Sequence, residues 1–320
     1  MISDLDLHQL ANYLPQRDEP MDFDGFWGRS VGEARAVAVA PTFVPIDTRL
    51  RTVDSFDVTF SGYGGQPIKG WLNVPHGSRG PLPCVIEYIG YGGGRGSAYD
   101  WLLFSAAGYA HFVVDSRGQG GVWRNGDTPD IAPLIGNHSP GFMTMGITDP
   151  EHYYYRRLYV DAVLAVDAAR KCALINADRI AVAGTSQGGG TTVAVSGLVT
   201  DLAAALPGVP FMCHIAHALK LTESNPYFEI TRFLRGNPHT ARAAIRTLSY
   251  FDGVSFAARA TASALFSVAL MDQICPPSTV FAAYNHYAGP KDIRVWEYND
   301  HDGAAPQQAV EQLEFLAGRF

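Results

Sequence analysis

The sequence predicts an α/β fold: a mostly parallel central sheet with helices on both faces, preceded by an N-terminal helical and hairpin extension. Three observations carry this. Short apolar runs of strand length alternate with longer segments of helical period, the order that builds parallel sheets from strand–helix–strand units. The run Ile180–Ala183 leads into Gly184-Thr185-Ser186-Gln187-Gly188 and then into a helix-compatible stretch ending at Leu198. That is the strand–turn–helix context in which Gly-x-Ser-x-Gly lifts a serine hydroxyl into a cleft. Two later strands are followed by loops carrying Asp272 and His301, which gives the chain order Ser, Asp, His.

Residues 1–45 are expected to form a helical arm, with one short helix around Leu5, Leu7, Leu10 and Leu14 that ends at Pro15. A second helix is expected from Asp22 to Val39, with Phe23, Phe26 and Trp27 on its apolar face. Val53–Phe60 and Ile68–Val74 flank Gly62-Tyr63-Gly64-Gly65 as a hairpin. Pro83–Ile89 is the next strand and runs into the glycine-rich loop Gly90–Gly94. A helix at Trp101–Ala107 and a strand at Ala110–Val114 follow. Residues 122–150, rich in Gly, Pro and Asn, form a long loop placed to cover a cleft. Tyr153–Cys172 has helical periodicity and delivers the chain to the Ser186 strand. Beyond it, Met212–His217 is expected as a strand and 218–260 as a helical insertion. Ala264–Leu270 and Ile293–Tyr298 are the last strands, and Pro306–Phe320 is the closing helix. Residues 1–320 thus read as a single domain, without internal repeat or linker.

Composition narrows the function. Hydrophobic residues at 47% against charged ones at 17% indicate a globular chain with a sizeable core. A formal net charge of -7 disfavours nucleic acid as a partner. No apolar run is long enough to span a bilayer, and the acidic start Met-Ile-Ser-Asp-Leu-Asp is unlike a secretory leader. The four cysteines (Cys84, Cys172, Cys213, Cys275) are scattered and are expected to be reduced and structural. A cytoplasmic protein is the expectation.

A serine hydroxyl becomes a nucleophile only when a base takes its proton and an acid orients that base. Ser186 has the elbow context. A second motif match, Gly28-Arg29-Ser30-Val31-Gly32, has no strand before it and lies in a helical region, so it is read as chance. Among the acids, Asp272 follows a strand, whereas Asp292 begins one and Asp300 adjoins the histidine in sequence; Asp252 also competes. His214 and His217 make a His-x-x-His pair with no third ligand at metal spacing, so no metal site is expected. Gly90–Gly94 lacks the rest of a phosphate-binding motif. Its better use is a second oxyanion donor, the amide of Tyr91 facing that of Gln187 at the helix N-terminus.

With these residues in place, the chain resembles the acetyl xylan esterase/cephalosporin C deacetylase family of carbohydrate esterases, which has the α/β-hydrolase fold. The likeness runs through Asp57-Val58-Thr59-Phe60, Gly62–Gln66, Ile68–Leu72, Arg117-Gly118-Gln119-Gly120, Gly184–Gly189 and Pro276–His286. It implies Ser186, Asp272 and His301 as the triad and the Tyr91 and Gln187 amides as the oxyanion hole. It also implies Arg117 and Gln119 as structural braces beside the elbow. A hexameric homo-oligomer, a small acetylated substrate and no cofactor follow from the same resemblance. Two departures touch the cleft: His301-Asp302 where the family usually has His-Glu, and Ile89-Gly90-Tyr91 where it usually has His-Gly-Tyr.

The expected activity is therefore a serine esterase that removes acetyl groups from small acetylated sugars (xylo-oligosaccharides) or cephalosporin-type acetyl esters. The alternatives are a prolyl-oligopeptidase-like serine peptidase, whose usual preceding repeat array is not seen in this sequence, and a non-catalytic binding protein on the same fold.

Overall fold

The structure is a computed structural model that describes residues 5–130 and 141–320. Nine strands form one sheet: β1 (Thr42–Ile46), β2 (Val53–Ser61), β3 (Pro67–Pro75), β4 (Leu82–Tyr88), β5 (Ala110–Val114), β6 (Ile175–Thr185), β7 (Ala204–Gly208), β8 (Ser263–Ala269) and β9 (Lys291–Trp296). Their order is β1-β2-β3-β5-β4-β6-β7-β8-β9. The pairs from β1 through β3 to β5 are antiparallel, and every pair from β5 to β9 is parallel. Because the parallel strands all point one way, the loops after β4, β5, β6, β8 and β9 open at one edge, where sheets of this kind bind ligands.

Burial follows the sequence pattern. β5 and β7 are buried along their whole length, as strands covered on both faces must be. The helix Tyr154–Ala169 hides most of its circumference against the sheet, and Tyr153, Tyr154 and Tyr155 are all fully buried at its start. The arm packs back onto its own chain. Phe23, Phe26 and Trp27 of the helix Phe23–Val37 meet Tyr250, Phe251 and Phe256 edge-on or tilted, and Trp27 Nε1 donates to the Tyr250 carbonyl at 2.9 Å. Four helices, Ile215–Leu221, Tyr227–Gly236, Ala241–Ser249 and Gly253–Ala257, lie between β7 and β8.

Two elements differ from expectation. The strand beside β6 is Ala204–Gly208, not Met212–His217. Met212 and His214 have positive φ, and His214 is the N-cap of a helix. The helix after Ser186 comes close to the backbone at the end of this strand and just beyond it: a side chain on Gly189 would strike the Gly208 carbonyl, and one on Gly190 the Phe211 carbonyl. Residues 42–46, at the end of the expected helical arm, instead form the edge strand β1, and an edge strand tolerates Pro45, which has no amide to donate. The middle of the 122–150 loop, residues 131–140, falls outside the described residues.

Candidate active site

β6 ends at Thr185, and the helix Gln187–Leu198 begins two residues later, so the chain reverses on Ser186 alone. Ser186 has φ 60 and ψ -119, a backbone state few L-residues adopt. The turn closes because Gly188 has no side chain: a Cβ there would overlap the Tyr88 carbonyl oxygen of β4. The rival serine lacks all of this. Ser30 is fully buried within a helix, where its Oγ donates to the Phe26 carbonyl and accepts from Arg156 Nε. Space around Gly28 and Gly32 is open.

The loops after β8 and β9 bring the other two residues to Ser186. His301 Nε2 lies 2.9 Å from Ser186 Oγ, and His301 Nδ1 lies 2.8 Å from Asp272 Oδ2. Asp272 is buried, and its other oxygen accepts the amides of Ile274 and Cys275 at 2.7 and 2.9 Å, which fixes the carboxylate plane. A hydroxyl, an imidazole and a buried carboxylate in this sequence of contacts can move a proton off the hydroxyl and hold the resulting imidazolium. The competing acids are occupied elsewhere. Asp300 is exposed and accepts the Asp302 amide in its own loop, Asp292 pairs with Arg294 at 2.6 Å, and Asp252 caps the helix Gly253–Ala257.

Backbone donors flank the serine. Among the described residues, neither the Gln187 amide, first in its helix, nor the Tyr91 amide, in the loop after β4, has an acceptor. Both loops are braced by Gln119. Its Oε1 accepts the Gly92 amide at 2.7 Å, and its Nε2 donates to Gln187 Oε1 and to the Tyr154 hydroxyl, both at 2.9 Å. Arg117 works further back. Fully buried, it grips Asp161 with Nε and Nη2 at 2.5 and 2.6 Å, and its Nη1 reaches Gln66 at 2.9 Å. That fork ties the loop after β5 to the helix under the sheet and to the β2–β3 turn.

Above Ser186 and His301 opens a cavity of about 680 Å³. Tyr91, Trp101 and Trp123 wall it, and Phe142 is buried behind Tyr91 with ring centroids 5.9 Å apart. The Arg124 guanidinium stacks over Trp101 at 4.4 Å and Trp123 at 5.2 Å. Arg124, Glu229 and Asn225 line the cavity and were not singled out from the sequence. Each is a polar residue in a loop or amphipathic helix, with no spacing to mark it.

One group of three side chains among the described residues has metal-ligand atoms within 4.8 Å of one another: Asp272, Cys275 and His301. Asp272 and His301 are already hydrogen-bonded to each other. Burial, then the Asp272 charge, pushes the Cys275 thiol well above its usual range, so it remains a neutral, poor ligand and no rival nucleophile. His214 and His217 stack on each other and meet Tyr13, away from the cavity.

A parallel sheet with a serine on this elbow and an imidazole–carboxylate pair on its last two loops defines an α/β-hydrolase. The chain belongs to the acetyl xylan esterase family, whose members are carboxylic ester hydrolases: it matches the family described as Acetyl xylan esterase (AXE1) over residues 1–319. It is similar to the acetyl xylan esterase from Paenibacillus sp. R4, with 38% identity and a TM-score of 0.92 over 99% of this chain and 100% of that one. Acetyl xylan esterase 1 from Thermoanaerobacterium sp. JW/SL YS485 is 29% identical, with a TM-score of 0.88 over 98% and 99% of the two chains. Acetyl esterase Axe7A of Xylanibacter ruminicola is 25% identical over 90% of this chain, which spans 64% of that protein's length.

Proposed function

We propose that this protein deacetylates small acetylated sugars, xylo-oligosaccharides above all, through a Ser186 acyl-enzyme. Ser186 attacks the ester carbonyl while His301 takes its proton, and Asp272 holds the imidazole in the required tautomer and offsets its charge. The carbonyl oxygen, now negative, is received by the Tyr91 and Gln187 amides. His301 returns the proton to the departing sugar oxygen. Water then enters by the same route and releases acetate. No metal or organic cofactor takes part in these steps.

The observation that carries this reading is His301 bridging Ser186 and Asp272 on the floor of an aromatic-walled cavity. Membership of an acetyl xylan esterase family directs it to acetyl esters. The cavity has room for a sugar leaving group, and aromatic faces are suited to stacking on sugar rings. Cephalosporin-type acetyl esters are a second substrate class under the same chemistry. The test is a panel of acetylated xylo-oligosaccharides, cephalosporin C and p-nitrophenyl esters of two, four and eight carbons. Acetyl esters should be fastest, and an optimum at eight carbons would overturn the assignment.

We also propose a homo-oligomer and a cytoplasmic location. Four unpaired, buried cysteines suit a reducing compartment, and no helix among the described residues is long and apolar enough to cross a membrane. The arm's aromatics are spent inside the chain, so oligomer contacts would come from the exposed Val37, Val39 and Val44 near the β1 edge. Light scattering that gave only the 34.6 kDa monomer at micromolar concentration would remove the oligomer.

A further inference from the structure

Tyr91 is pinned at every polar atom but one. Its carbonyl oxygen accepts from Trp123 Nε1 at 2.9 Å, and the other end of that peptide plane, the Gly92 amide, donates to Gln119 at 2.7 Å. Its phenol oxygen accepts the amides of Gly141 and Phe142, both at 3.0 Å, and donates to Glu229, whose two carboxylate oxygens each lie 2.8 Å away. The hydroxyl's full capacity, two bonds accepted and one donated, is thereby used. The Tyr91 amide alone lacks a partner among the described residues. Once the bonds from Cα to the side chain and to the carbonyl carbon are fixed, tetrahedral geometry and the L configuration leave the nitrogen a single position.

We propose that Glu229 is a positioning residue for the oxyanion hole, holding the Tyr91 amide in place through the Tyr91 hydroxyl. This rests on the reading above, in which that amide receives the developing negative charge. Nothing local can replace Glu229, since it comes from the helix Tyr227–Gly236, 138 residues further along the chain. Burial, then the Glu229 charge, pushes the Tyr91 hydroxyl up, so the phenol keeps its proton and donates. Burial also pushes Glu229 up. When ionised it accepts a charge-assisted bond, stronger than a neutral one. Glu229 faces the cavity, yet both of its oxygens are engaged with Tyr91, and one also accepts the Met143 amide at 3.4 Å. A role through Tyr91 is therefore favoured over direct contact with substrate.

The experiment is a double-mutant cycle on p-nitrophenyl acetate, measuring kcat and KM for Glu229→Ala, Tyr91→Phe and the double variant, with Glu229→Gln as the conservative control. Circular dichroism and thermal melting establish that each is folded. Losing one oxyanion donor outright costs about 10²–10³ in turnover, so displacing one should cost Glu229→Ala about 10- to 100-fold in kcat with KM within about twofold. Glu229→Gln, whose carbonyl still accepts the phenol proton, should recover most of the loss. The double variant should be no slower than the slower single, because Tyr91→Phe already removes the bond that Glu229→Ala removes. Additive losses, a raised KM with unchanged kcat in Glu229→Ala, or full kcat in Tyr91→Phe would each overturn the proposal. If Glu229→Ala does not fold, Glu229→Gln and Tyr91→Phe decide: near-parental kcat in Glu229→Gln with a loss in Tyr91→Phe supports it. Ser186→Ala run alongside separates the two levels. Turnover retained there sinks the serine mechanism itself, whereas an inactive Ser186→Ala with an additive cycle removes only the role of Glu229.

Discussion

Gln119 and Gln187 face each other through their side-chain amides, each donating to the other, Nε2 of Gln119 to Oε1 of Gln187 at 2.9 Å and the reverse at 3.3 Å. The remaining capacity of the pair goes to the Gly92 amide, the Tyr154 and Tyr155 hydroxyls and the Ile89 carbonyl. Both residues are buried, so every one of these bonds is made away from water. The pair links the loop that carries the Tyr91 amide to the residue that carries the Gln187 amide. It sets the spacing of two backbone donors that never touch.

Gln119→Leu should therefore lower both stability and turnover. It leaves the Gly92 amide and part of Gln187 without partners in a dry site, at a cost of about 2–4 kcal/mol. Turnover should fall about 10- to 100-fold as the donors lose their spacing, with KM little changed. Urea unfolding beside steady-state kinetics checks both halves, and an unchanged kcat would show that the spacing is set elsewhere.

Ser186→Ala and Ser30→Ala should part company. The first removes the proposed nucleophile, and such a loss costs on the order of 10⁶ in turnover in the best-studied serine hydrolase. The second removes a buried hydroxyl that joins the Phe26 carbonyl to Arg156, so it should cost about 1–3 kcal/mol of stability and leave kcat near the parent value. Turnover and melting temperature of the two variants decide the point.

The acid is tested by exchange. Asp272→Asn should stabilise the wrong imidazole tautomer and lower turnover by about 10⁴, the effect of this change in a well-studied triad. Asp300→Asn should change kcat little, because Asp300 is exposed and serves its own loop. A large loss in Asp300→Asn beside a mild one in Asp272→Asn would reverse the assignment.

The two Gly-x-Ser-x-Gly segments respond oppositely to a methyl group. Gly188→Ala drives a Cβ into the Tyr88 carbonyl of β4 and should cost more than about 3 kcal/mol or abolish folding. Gly28→Ala adds a methyl group to open space in a helix and should raise stability by about 0.5–1 kcal/mol. Thermal denaturation of both is enough; a stable, active Gly188→Ala would mean the elbow is looser than its geometry implies.

Much of this was legible because parallel sheets advertise themselves. β4, β5, β8 and the Ile180–Ala183 part of β6 are short, mostly apolar runs, and Asp272 and His301 fall just past the ends of β8 and β9. β7 was missed for a physical reason: Ala204-Ala205-Leu206-Pro207-Gly208 has weak strand propensity, and its pairing with β6 and β8 is a tertiary contact that leaves no local pattern.

The sequence by itself determined the fold class, the elbow at Ser186 and the order Ser, Asp, His, because each depends on contacts within one strand–loop–helix segment and on the fixed direction of parallel strands. It also contained Arg117 and Gln119, but not what they hold. Only the tertiary structure decided that Gln119 spans the two donor loops, that Arg124 stacks on two tryptophans, and that Glu229 ends on the Tyr91 hydroxyl. These contacts join residues from separate segments of the chain, Glu229 and Tyr91 lying 138 positions apart. A polar side chain carries no local periodicity to announce a distant partner. The partner exists only after the sheet has brought its loops to one edge.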